Sequence, residues 1–375
     1  MDQVKGLTTW AEIDLEALEY NLNQIGDHLE ANSDIIAVVK ANAYGHGAKA
    51  VAQRAVQHKQ VKMLAVATIE EGIELREAGI KLPIIVLGTI LESRIPEVID
   101  YDLTPVVYTL ATAKKISLQA QEVGEKVKLH LGVDTGMGRI GILVDKEPVE
   151  KIKTIANLEQ IIIEGIFTHF AAADEDDLYT TEQLEKFKNL LSDLKRAGIE
   201  IPIKHAANSA AIIDFPKTHF DLVRLGISLY GLAPAPSLEN KIDLKPILDW
   251  KAHIVHVKRV TSGTNISYGC TYRADRETKI ATLAVGYYDG YARRLSNQAE
   301  VLIKGERAPV IGRVCMDQIM VDVTGIEVEK GDIATLIGED GQEEIKAQEL
   351  AEMIGTINYE VVSRIGPRVR RILKR

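Results

Sequence analysis

The chain has two cysteines in 375 residues, Cys270 and Cys315. That is too few for a disulfide framework, and their spacing matches no metal motif. They read as two reduced thiols of a cytoplasmic protein, and no metal is expected. The stretch Met1-Asp-Gln-Val-Lys-Gly6 lacks an apolar core of signal-peptide length, and no run is long enough to cross a bilayer. An excess of positive charge is also missing: the formal net charge is −9, which speaks against a nucleic-acid partner. There is no internal repeat, low-complexity tract or flexible linker. What is present is ordinary for a soluble globular protein, with 46% apolar and 26% charged residues. The length suffices for two domains.

Up to Ile227, apolar runs alternate with amphipathic stretches. The runs are Ile35–Val39, Met63–Ala67, Ile84–Leu87, Leu103–Val107, Val127–Val133, Ile161–Thr168, Ile203–Ala207 and Leu222–Ile227. Helical patterns lie between them, such as Ala48–His58, Ile69–Ala78 and Thr180–Ala197. Strands alternating with helices predict a parallel sheet, and eight of them suit a closed (β/α)8 barrel of TIM type. An open doubly wound sheet is the alternative, weakened because no Gly-x-Gly-x-x-Gly opens a helix after the first strand. The barrel domain is expected over residues 13–244. Beyond it, short β-rich runs such as Ala252–Val260, Ile280–Val285, Val310–Val314 and Ile319–Val323 accompany one clear helix, Ala347–Ile354. A mostly β domain is therefore expected over 245–375, joined by residues 1–12.

A barrel places functional side chains at the C-terminal ends of its strands, with an anion site after strands seven and eight. Lys40 ends the first run, in Ile35-Ile-Ala-Val-Val-Lys-Ala-Asn-Ala-Tyr-Gly-His-Gly47. Burying an ammonium there is costly and lowers its pKa, the usual means of tuning a lysine to hold an aldehyde as a Schiff base. The alternative is a lysine that snorkels to solvent. Arg139 follows the fifth strand, His169 ends the sixth, Asn208 and Ser209 end the seventh, and Arg224 lies in the eighth. Each has an ordinary explanation, as an ion pair, a core imidazole or a helix cap. Their coincidence at one mouth marks a site.

The motif around Lys40 closely resembles the cofactor-lysine signature of the alanine racemase family, which uses pyridoxal 5'-phosphate. Val133-Asp-Thr-Gly-Met-Gly-Arg139, His205-Ala-Ala-Asn-Ser209, Val223-Arg-Leu-Gly-Ile227, Ser267-Tyr-Gly-Cys-Thr-Tyr272, Gly312-Arg-Val-Cys-Met-Asp317 and Thr356-Ile-Asn-Tyr359 resemble further motifs of that family, in order along nearly the whole chain. The resemblance implies a barrel followed by a β domain, a head-to-tail homodimer with shared sites, and interconversion of L- and D-alanine for peptidoglycan.

By the same resemblance, Lys40 carries the cofactor and serves as base on the D face. Tyr268, from the partner subunit, serves the L face. Tyr44, Ser209, Tyr359 and the amides of Gly226 and Ile227 hold the phosphate, with Asn208 beside them. Arg224 meets the pyridine nitrogen, His169 supports Arg224, and Arg139 contacts cofactor and substrate. The Met316 amide meets the substrate carboxylate, while Asp174, Tyr287, Arg313 and Tyr359 line the entrance. One position departs from the pattern. Many relatives carry a carbamylated lysine where this chain has Gly132, so Arg139 is expected to be oriented by a bound anion or another acidic residue. A serine or broad-specificity racemase is the nearest alternative. A decarboxylase on the same scaffold lacks support, because its cysteine-based motif is missing. A cofactor-binding homeostasis protein of the barrel type would have no second domain.

Overall fold

The computed structural model describes residues 4–374. Leu18–Ala43 together with Ala48–Lys245 make one compact unit; the residues through Ala17, Tyr44–Gly47 and those from Pro246 onward make the other.

The first unit is a closed parallel barrel. Its eight strands are Asp34–Val38, Val61–Val66, Ile84–Val86, Thr104–Val107, Val127–Asp134, Ile161–Phe167, Ile203–His205 and Leu222–Leu225. Each pairs in parallel with the next, the last returns to the first through Arg224 beside Ile36, and the fourth joins the fifth through Val106 beside His130. The short third and fourth strands are buried throughout, as expected of β-branched runs covered on both faces. Crossover helices begin where a side chain can accept the orphan amides of the first turn. Thr109 caps Leu110–Val123, and Asp176 caps Asp177–Arg196, which starts one turn before the apolar pattern. Thr68 and Glu71 form a reciprocal capping box at the start of Ile69–Glu77.

The barrel interior contains one unusually close approach. A Cβ built on Gly165 would lie 2.4 Å from His130 Nδ1, its partner in register on the fifth strand. His130 cannot retreat, because the same nitrogen lies 2.8 Å from His205 Nε2. Gly165→Ala is therefore expected to destabilise the barrel by about 1–3 kcal/mol, as overpacking does. Urea unfolding checks this, and an unchanged midpoint would contradict the packing described.

The second unit is mostly β. Its sheet runs Glu306–Pro309, Glu300–Ile303, Ile333–Asp340, Leu248–Val260, Thr9–Ile13, Arg370–Leu373, with Thr278–Leu283 branching from the long central strand and Ile319–Asp322 pairing with Thr278–Leu283 in turn. Thr9–Ile13 lies antiparallel to Leu248–Ala252 and parallel to Arg370–Leu373, so the N-terminal segment is part of this sheet. The sequence predicts a strand over Val310–Val314. Of these residues only Val310 makes a bridge, to Val321, because the Val314 amide donates instead to Ser296 Oγ at 2.9 Å. A second short helix, Asn358–Ser363, follows Ala347–Ile354.

Tyr44–Gly47 is tied into this second unit. Arg371 donates to Gly45 O at 2.7 Å and to the carbonyls of Gly366, Val369 and Ile365. Gly45 sits at φ +87°, and a Cβ there would come within 2.2 Å of Val362 O. Only glycine meets both the dihedral and the approach.

Candidate active site

Lys40 lies beyond the end of the first strand, which stops at Val38, and opens a turn of opposite hand to an α-helix. Ala41, Asn42, Ala43 and Tyr44 have φ between 51° and 54°. Left-handed residues with a Cβ cost about 1–2 kcal/mol each, so this turn is imposed by its surroundings. Within the barrel unit Lys40 is half-buried. Burial lowers its pKa, Arg139 and Arg224 lower it further, and Glu71 opposes them. The result favours a neutral, nucleophilic amine.

Arg224 is a buried charge of the barrel, bonded on several sides. It is 4% exposed. One terminal nitrogen donates to Thr168 O and Ala206 O, both at 2.8 Å, and lies 3.1 Å from His169 Nδ1. The other lies 2.8 Å from His205 Nδ1. Four bonds on five N–H groups leave at least one donor with no acceptor among the described residues. Burial and then Arg139 push the Arg224 pKa down to about 9, which leaves it charged at neutral pH.

Because arginine only donates, it fixes the tautomers behind it. His205 Nδ1 accepts, so His205 Nε2 carries hydrogen and donates to His130 Nδ1 at 2.8 Å. His130 Nε2 then carries hydrogen and faces Glu164 Oε2 from 3.6 Å away. His130, followed by Lys128, holds the Glu164 carboxyl near a pKa of about 2. A guanidinium and two imidazoles thus form one hydrogen-bonded chain through the barrel core, with the Glu164 carboxylate beside its far end. Sequence reasoning missed His130, His205 and Glu164 as a group. A period-2 reading of strands five to seven would have put the two imidazoles on the barrel interior.

His169 accepts from Arg224 and is neutral. Burial, then Arg224, Arg139 and Lys40, lower its pKa to about 3. Gln183, fully buried and also missed, braces the loops after strands five and six. It donates to His169 O and Thr135 Oγ1 and accepts from the Ala171 amide. The depressed histidine has a consequence for stability. The unfolded chain binds its proton near pH 6.5 and the folded one only near 3, so stability is fully present above about 6.5 and is lost as pH falls between these values. Burial pushes His205 the same way. The urea midpoint is expected to fall between about pH 7.5 and about pH 5, and His169→Gln to flatten part of that fall. Equal slopes in both proteins would contradict it.

After strands seven and eight, Asn208 caps the short helix Ser209–Asp214 by accepting from the Ala211 amide at 3.0 Å. Ser209 Oγ accepts from the amides of Gly226 at 3.1 Å and Ser228 at 3.4 Å, which leaves its own O–H to donate. Ile227 opens the 3-10 turn Ile227–Tyr230, where a first-turn amide has no partner within the helix. A hydroxyl and a turn amide converging behind a glycine are a suitable cradle for a phosphate dianion.

Arg139 lies on an exposed loop shaped by Asp134, whose carboxylate accepts from Gly136 at 2.9 Å and Gly138 at 3.1 Å. Within one chain no acidic residue pairs with Arg139 among the described residues, which leaves a bound anion as the other expected means of orienting it. Gly132 is buried beside Val106 and Phe167 at ordinary contact distances. Asp174 is exposed on the loop after strand six.

The remaining expected residues belong to the β-rich unit. Tyr44 and Tyr359 pack with ring centroids 6.1 Å apart, and burial raises the Tyr44 hydroxyl to about 12, keeping it a donor. Tyr268 is 70% exposed on the 3-10 turn Tyr268–Cys270. Ser267 Oγ ties that turn to Arg313 O at 2.6 Å, and the Tyr287 amide donates to Cys315 O at 3.0 Å. Tyr268, Arg313, Tyr287 and the exposed Met316 therefore share one face of this unit.

Comparison with known proteins gives the family. Residues 13–234 match the model of the alanine racemase N-terminal domain, and residues 247–373 that of the C-terminal domain. An alanine racemase of Halothermothrix orenii is 53% identical, over 98% of this chain and 97% of that protein. One from Methanococcus maripaludis is 49% identical, over 97% and 98%. The solved alanine racemase of Clostridium difficile superposes with a TM-score of 0.94 at 44% identity, covering 98% of this chain and 96% of the other. A histidine racemase from Leuconostoc mesenteroides also superposes, with a TM-score of 0.90 at 30% identity over 98% of both chains. On its sequence, its two-domain match and its barrel, this chain belongs to the alanine racemase family.

Proposed function

We propose that the protein interconverts L- and D-alanine with two bases, Lys40 and Tyr268, on opposite faces of the substrate, and that it binds pyridoxal 5'-phosphate. Bound, that cofactor supplies an electron sink that acidifies the α-proton of an attached amino acid. The residues fit it: a half-buried, depressed lysine, a hydroxyl-and-amide cradle at Ser209 and Ile227, and a guanidinium with a donor to spare. By the family resemblance Tyr44 and Tyr359 are further phosphate donors, and Asn208 sets the helix that carries Ser209, while the Gly226 amide, also expected as a phosphate donor, is given to Ser209 Oγ instead.

Arg224 is the observation that carries the reading. Its four protein bonds fix a donor-only group at the strand-eight position, where it favours an unprotonated ring nitrogen. His169 stays neutral and holds Arg224 in place. Arg139 orients the substrate, with a small anion beside its unpaired guanidinium. Lys40 moves the proton on the D face. Tyr268, supplied by a second copy of the chain in a homodimer, moves it on the L face. The Met316 amide receives the substrate carboxylate, and Asp174, Tyr287, Arg313 and Tyr359 restrict entry. Discrimination among small side chains is worth only about 1–3 kcal/mol per methylene, so slow turnover of serine is expected.

Among the described residues no helix is long and apolar enough to cross a membrane. A cytoplasmic enzyme supplying D-alanine for peptidoglycan is the role that fits. The test is α-deuterium exchange and enantiomer conversion with alanine, serine, lysine and histidine side by side. Conversion of both alanine enantiomers supports the reading, and faster turnover of histidine would replace it.

A further inference from the structure

Lys40 is carried by a turn that its own residues disfavour. Ala41, Asn42 and Ala43 all sit in the left-handed well, and none is glycine. Packing accounts for Ala43, which is fully buried, but not for its two neighbours. Ala41 and Asn42 are exposed, and a cleft of about 390 Å³ bordered by Val39, Val66 and Leu75 runs alongside Asn42. The turn is otherwise held by hydrogen bonds. The Ala43 amide donates to Val39 O at 2.8 Å, and Asn42 Oδ1 accepts from the Ala48 amide at 2.9 Å. The Ala41 amide reaches across to Glu71 Oε1 at 2.6 Å.

Glu71 Oε2 accepts from the Ala67 amide at 2.7 Å and the Thr68 amide at 3.3 Å, where the second strand gives way to its helix. A capping-box glutamate needs only the amide of its own cap residue. This one also takes an amide from the neighbouring strand–helix connection. We propose that Glu71 is a positioning residue for Lys40: its carboxylate locks the left-handed turn to the second strand and so fixes where the Lys40 amine points. The same carboxylate is the negative group set against Arg139 and Arg224 around that amine. No glutamine can replace it fully, because its amide nitrogen would face amide donors where Glu71 offers two acceptors.

The consequence for chemistry rests on Lys40 being the base proposed above, but the clamp is measurable without it. The experiment uses full-length, cofactor-loaded protein and backbone amide exchange over residues 40–44. Glu71→Gln is expected to speed exchange there by at least about tenfold. Adding Ala41→Gly, which enters the left-handed well without cost, is expected to restore most of the protection. Thr68→Ala removes the other half of the capping box, lowering the unfolding midpoint without opening the turn. In kinetics, Glu71→Gln lowers kcat from D-alanine by about tenfold with little change in KM, and Ala41→Gly recovers it. Unchanged exchange in Glu71→Gln, or opening that glycine at 41 does not reverse, overturns the proposal. A wild-type protein that fails to racemise alanine would sink the functional reading and leave the exchange result to decide the clamp.

Discussion

Lys40→Ala is expected to remove racemisation by at least about 10⁴-fold, because one substitution deletes both a nucleophile and a general base. Unfolding will not explain the loss. The Lys40 amine makes no hydrogen bond among the described residues; its charge is penalised by burial and by Arg139 and Arg224, with Glu71 offsetting part of this. Deleting it relieves both costs, so the urea midpoint should stay level or rise. Arg224 keeps its bond to His169 and Ser209 keeps those from Gly226 and Ser228, so the cofactor should still associate, more weakly and without a covalent link. Two measurements separate these effects. Mass spectrometry after borohydride reduction reads the covalent link, and chiral analysis of alanine reads turnover. Retention of a tenth of the wild-type rate, or of the covalent cofactor, would exclude Lys40 from both roles.

Much of the barrel site is legible because a parallel barrel converts sequence position into spatial position. A residue just after an apolar run must sit at the mouth, and this places Lys40, His169, Asn208 and Ser209 without any contact being known. Arg224 is less obvious. It lies inside the last strand, beside Ile36, and reaches the mouth only through its long side chain. The groups behind it are illegible for a related reason. His130 and His205 occupy buried strand positions where an imidazole looks like core, and their chain to Glu164 depends on register between the fifth and sixth strands, which no local pattern specifies.

The turn after Lys40 is hidden differently. Ala41-Asn42-Ala43 has high right-handed propensity at two of three positions, and local preference predicts the wrong hand. What reverses it is tertiary: the Glu71 carboxylate from another connection. Glu71 itself is visible only as a helix cap. Within one chain Arg139 has no acidic partner among the described residues, for the opposite reason. The nearby carboxylate, Asp134, is spent on the amides of Gly136 and Gly138 and shapes the loop rather than pairing with the arginine.

Tyr268 could be assigned only by resemblance, since an aromatic on a short turn ordinarily means nothing. Its geometry in one chain sharpens the expectation. It is 70% exposed, so one chain alone gives it no enclosed site in which to act as a base. It can act only if a second copy brings cationic groups such as Arg139 against it. Tyr268→Phe keeps the ring and removes the proton-bearing oxygen. It is expected to slow proton removal from L-alanine by about 10²–10⁴-fold while leaving cofactor attachment at Lys40 intact. If the base comes from the partner, two inactive variants should complement each other. In a mixture of Lys40→Ala and Tyr268→Phe subunits that exchange freely, half the dimers are hybrids. Each hybrid has one site with both bases intact and one with neither, so about a quarter of wild-type activity should return. A base supplied within one chain would restore nothing, whatever the mixing ratio.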